Sequence, residues 1–82
     1  MEPGKCYLVQ SVTNYYYVGR AKELHPFAVT LEECAWVAET GRLAEFVRNG
    51  RAPGMEIEPI GEWTVQYAGF GPWPHKLFTE AV

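Results

Sequence analysis

The chain has 82 residues, enough for one domain with a modest core. At 48% hydrophobic, 15% aromatic and 21% charged residues, it is too apolar for a disordered segment. All ten acidic residues are glutamate and the net charge is −3, which counts against a general nucleic-acid binder or a protein held on anionic membrane.

After a short lead-in over Met1–Gly4, three runs of β-branched and aromatic residues follow almost without spacers. The first strand is predicted over Lys5–Thr13, with Tyr7, Val9 and Ser11 on one face and Leu8, Gln10 and Val12 on the other. Asn14 is the turn residue. The second strand is predicted over Tyr15–Leu24, with Gly19 marking a bulge, a bend or a close backbone approach. His25 and Pro26 end it. The third strand runs over Phe27–Val37, and Cys34–Val37 is apolar on both faces.

A helix is expected from Thr40 to Asn49. Thr40 is its N-cap, Leu43, Phe46 and Val47 form its apolar stripe, and Gly50 is its stop. Arg51–Gly54 is a loop. Met55–Ile60 and Trp63–Ala68 are predicted as two strands joined by a hairpin turn at Gly61 and Glu62. Gly69–Pro74 is expected to be irregular, the start of a proline-stiffened arm over 70–82. The predicted fold is mainly β: a small SH3-like or Sm-like five-stranded barrel with one short α-helix, a single domain over 1–82. The alternative is an open α+β sheet with the helix on one face.

Three stretches carry a resemblance: Gly4–Tyr7, Val12–Arg20 and Leu31–Arg42, together with Trp73–His75. In these the chain resembles a family of small uncharacterised proteins encoded by bacteriophages and prophages. The resemblance spans most of the chain and carries no assigned catalytic residue. It implies a viral origin and action in the cytoplasm of an infected bacterium.

Chemistry-bearing residues are sparse. Cys6, Cys34, His25 and His75 are zinc-ligand types, but no pair has zinc-site spacing, so no metal or cofactor is expected. With no signal peptide and no transmembrane run, the two cysteines read as reduced thiols of a cytosolic protein. Ser11 is the only serine and lies mid-strand, without a nucleophile elbow. Cys34 with His25 is the one conceivable nucleophile–base pair, and a structural thiol explains Cys34 better. Glu32 and Glu33 point to opposite faces of a strand, and Gly69–Gly71 lacks the lysine and helix of a phosphate loop. The chain reads as a non-enzyme.

Binding signals are stronger. Tyr16 shares a strand face with Arg20 and Lys22, a pattern that holds bases and phosphates, and Arg42, Arg48 and Arg51 lie around the helix ends. These residues are expected to hold a nucleotide-like anionic small molecule, for instance to blunt a host defence signal. Trp36, Val37, Phe70, Trp73 and Phe78 are expected to form a homo-oligomer interface. The alternative is a structural or protein-interaction module, such as a virion component or an inhibitor of a host factor. Binding of RNA or DNA in the Sm manner is counted against by the charge.

Overall fold

A computed structural model describes residues 1–82. The elements in chain order are β1 (Cys6–Ser11), β2 (Tyr16–His25), β3 (Ala28–Glu39), α1 (Leu43–Asn49) and β4 (Glu56–Pro72). The strands form one antiparallel sheet in the order β1-β2-β3-β4, and β4 pairs back onto β1 to close it into a ring. An open sheet would leave the first and last strands unpaired; here they are joined.

The strand count is four, not the five expected. The difference lies at Gly61. Its φ of +80° suits a turn, but the chain does not reverse there. Residues on both sides of it pair with the same neighbour: Pro59 with Ala35, Gly61 with Cys34 and Trp63 with Leu31. β3 carries a matching irregularity, with Glu33 at φ +49°. The two strands therefore bend together, because glycine supplies the left-handed backbone of a bulge as readily as that of a turn.

The expectation for Gly69–Pro74 is also corrected. Gly69, Phe70, Gly71 and Pro72 continue β4 and pair with Gln10, Val9, Leu8 and Tyr7. The Trp73 amide then donates to the Cys6 carbonyl at 3.0 Å. This segment is the closing seam of the ring.

Gly19 sits at a close approach of β2 to β3. A Cβ there would lie 3.0 Å from Leu31 Cβ and 3.2 Å from Cys34 Cα. A bulge in the β2–β3 register falls at the same place.

The core has two parts. Inside the ring, Tyr7, Val9, Ala21, Val29, Leu31, Cys34 and Val65 are buried together. On the outer face, Val18, Ala35, Val37 and Ile57 are covered by Phe46 of α1 and by Trp73. Each valine, leucine, isoleucine or phenylalanine buried this way contributes about 1.5–3 kcal/mol.

α1 begins later than expected. Thr40 does not cap it; the Thr40 hydroxyl donates to the Gly41 carbonyl at 2.7 Å, and Arg42 occupies the N-cap position without a side-chain bond. Gly50 ends the helix at φ +77°, and its amide donates to the Phe46 carbonyl. His75 Nε2 donates to the Val47 carbonyl at 2.8 Å, satisfying another free acceptor of the last turn.

The arm after β4 lies on its own chain. The Phe46 ring is 5.0 Å from that of Trp73 and stacks at 6.1 Å on Phe78. The Trp73 indole donates to the Lys76 carbonyl at 3.1 Å. At its end, Val82 and Ile57 exchange backbone hydrogen bonds of 3.0 and 2.9 Å. No helix is long and apolar enough to cross a membrane.

Candidate functional site

The expected anion-binding residues are spread over separate places. The β2–β3 register sets Arg20 opposite Glu32. The Arg20 guanidinium is ion-paired to Glu33, and Glu32 is 4.0 Å away. Lys22 Nζ bonds Glu62 Oε1 at 2.7 Å, and this bond raises the Lys22 pKa. A phosphate arriving here would have to displace carboxylates. Arg42 precedes α1 and Arg48 lies in its last turn; both are exposed. Arg51 lines an open hollow of about 550 Å³ that also presents Glu45, Asn49 and Met55. No cation lines either hollow beside Tyr16.

Tyr16 instead joins two hollows. One, of about 230 Å³, is lined by Leu8, Gln10, Tyr16, Gly69, Phe70 and Gly71. The other, of about 180 Å³, lies beyond Tyr16 against Asn14, Tyr15 and the Val37–Thr40 segment. Strand pairing explains this groove. Gln10 is opposite both Tyr16 and Gly69, and Leu8 is opposite both Val18 and Gly71. Directly paired residues project to the same face, so Tyr16 stands over a strip where β4 has no side chains. A Cβ at Gly69 or Gly71 would meet nothing within 4 Å. The glycines thus leave bare backbone under open space beside Tyr16 and Leu8; Phe70, paired with Val9, turns its side chain to the other face. Phe70 is 47% exposed, and its ring meets Tyr7 and Tyr67 edge-on at 5.7 and 5.5 Å.

Sequence reasoning missed Leu8, Gln10, Gly69 and Gly71. The spacing of Gly69 and Gly71 was a usable signal: glycines two apart in a strand strip one face of side chains.

The residues expected at an oligomer interface divide. Val37 is 3% and Trp73 4% exposed, so both are spent in their own core. Phe78 is partly buried against that core. Phe70 and Trp36 keep exposed surface.

The remaining reactive groups are occupied structurally. Burial pushes the Cys34 thiol up to about 12, leaving almost no thiolate at neutral pH. His25 Nε2 lies 3.0 Å from the Thr30 hydroxyl and 3.7 Å from Glu23. The Ser11 hydroxyl accepts from the Tyr15 amide at 3.0 Å and bonds Thr13, holding the β1–β2 turn. Cys6 and Cys34 are free thiols in different parts of the core, and no three metal-ligand side chains come together.

Comparison with protein-family models, curated proteins and solved structures gives no match for this chain.

Proposed function

We propose that the chain is a non-enzymatic binding module whose working surface is the Tyr16 groove, and that its ligand is an extended segment of a partner protein. One observation carries this reading: Tyr16 links two adjoining hollows over a floor of bare Gly69 and Gly71 backbone. An extended segment can lay its own backbone against that floor and set apolar side chains beside Tyr16 and Leu8. The ring of strands, on our reading, is a small barrel of the SH3-like or Sm-like kind, which presents such a groove on a stiff support. A phage or prophage origin, with a target in the bacterial cytoplasm, rests on the sequence resemblance alone. Any homo-oligomer would be built on Phe70 and Trp36, since Val37 and Trp73 are buried at home.

The test is a random peptide library displayed on yeast and panned against the protein. Selected peptides should lose at least about tenfold in affinity against Gly69→Val, a substitution for which there is room. A library without binders, or binders indifferent to Gly69→Val, would overturn the reading. Capture of an anionic small molecule keeps one specific support, Arg51 with Asn49 at the 550 Å³ hollow. A thermal shift with a nucleotide panel, lost in Arg51→Gln, would favour it instead.

A further inference from the structure

The opposite face of the same strands carries a different chemistry. Tyr17 of β2 is paired with Trp36 of β3, and Trp36 with Glu58 of β4. Their side chains therefore stand in one row on one face. Tyr15 lies two residues before Tyr17, and its ring meets Trp36 edge-on at 6.0 Å. Trp63 lies near the Tyr17 hydroxyl, whose pKa is raised chiefly by burial. Glu56, two residues before Glu58 on β4, extends the acidic end of the row.

Three features of this face are unspent by the fold. Tyr15 and Trp63 are 53% and 51% exposed, although each is large enough to fill a core position. Glu56 and Glu58 are exposed and take part in no salt bridge, whereas Glu32, Glu33 and Glu62 are all paired. The Trp36 indole N–H is shielded from solvent and has no hydrogen-bond partner.

We propose that this face docks a basic, arginine-bearing segment of a partner protein. Rings flanked by free carboxylates attract cations twice over. The ring faces offer their negative quadrupole, and Glu58 and Glu56 offer full charges. Arginine suits the arrangement better than lysine. Its planar guanidinium stacks on an indole while its N–H fork engages a carboxylate, and it is the less strongly hydrated of the two cations. The net charge of −3 steers such a partner inward. The Tyr17–Trp36–Glu58 row lies across the sheet from Tyr16 and shares only Tyr15 with the rim of its groove, so it does not depend on what the glycine floor of that groove binds.

The chain's own tryptophans report the test. The indole N–H resonances of Trp36, Trp63 and Trp73 are followed in the ¹⁵N-labelled protein while the peptide acetyl-Gly-Arg-Arg-Gly-amide is added. The Trp36 and Trp63 signals should move and saturate, while Trp73, held to Lys76 in the other part of the core, stays still. The lysine analogue should bind several-fold more weakly and the citrulline analogue at least about tenfold more weakly. The double variant Glu56→Gln/Glu58→Gln changes only exposed side chains, so it keeps the fold, and it should weaken the arginine peptide by at least about tenfold. Gly69→Val should leave the binding unchanged. The proposal is overturned if the Trp36 and Trp63 signals do not move at millimolar peptide, if citrulline binds as well as arginine, or if the double glutamine variant binds normally.

Discussion

Replacing Trp73 with alanine tests whether the C-terminal arm belongs to its own chain. The side chain is 4% exposed, sits 5.0 Å from the Phe46 ring and 5.9 Å from that of Phe78, and donates to the Lys76 carbonyl. Removing a buried tryptophan costs about 3–5 kcal/mol, the lost transfer energy plus the cavity it leaves. A domain of 82 residues is stable by about 4–12 kcal/mol in total. Trp73→Ala should therefore remove from a quarter of the stability to all of it. Trp73→Phe keeps a ring against Phe46 but loses the bond to Lys76, and should cost about 1–2 kcal/mol. The assay is guanidinium unfolding followed by far-ultraviolet circular dichroism, at two protein concentrations about fifty-fold apart. An arm bound to its own chain leaves the midpoint independent of concentration, whereas an arm docked on a second copy makes it rise with concentration. A loss below about 1 kcal/mol in Trp73→Ala, or a concentration-dependent midpoint in the parent, would refute the packing described here.

Gly41→Ala should destabilise the protein by more than about 1–2 kcal/mol in thermal unfolding, because φ is +68° and a Cβ would run into the Pro53 carbonyl; a neutral result would mean that this loop is free to move. Cys34 should resist iodoacetamide at pH 8 until the protein unfolds, since its thiol is pushed up to about 12; modification of the folded protein at a rate like that of the unfolded chain would contradict its burial. The same shift gives a pH dependence. The raised pKa favours the neutral thiol of the folded state, so this contribution is complete below about pH 9, the ordinary value, and is lost as pH climbs towards about 12. Parent stability should fall across that window by up to about 1.4 kcal/mol per pH unit more steeply than that of Cys34→Ala, and equal slopes in urea titrations would count against it. The exposed Lys22–Glu62 pair should couple only weakly in a double-mutant cycle and less still in high salt; a coupling that persists in high salt would show the pair to be shielded from solvent.

Alternation of side chains along the chain was enough to place most of the sheet. Tyr7 and Val9 in β1, and Val29 and Leu31 in β3, follow the period of a strand and are all buried inside the ring. The stripe of Leu43, Phe46 and Val47 located the helix but not its depth of burial. Only Phe46 is covered, while Leu43 and Val47 are each 43% exposed. A stripe records which face is apolar; the surface laid against it decides how much of that face leaves water.

What the local sequence determined, then, was strand and helix propensity, the absence of zinc-type spacing and the sign of the charge. Tertiary structure decided the rest, and glycine and charge show why. At Gly61 the same residue permits a reversal or a bend, and the presence of β3 alongside selected the bend. At Gly69 and Gly71 the missing side chains read as irregular chain, yet pairing with β1 turned them into the seam of the ring and the floor of a groove. Arg20 and Lys22 looked available to an anion, but their partners Glu33 and Glu62 lie 13 and 40 residues further on, brought close only by strand register. Each of these outcomes depends on a contact between residues far apart in the chain, and a one-dimensional pattern does not contain that contact.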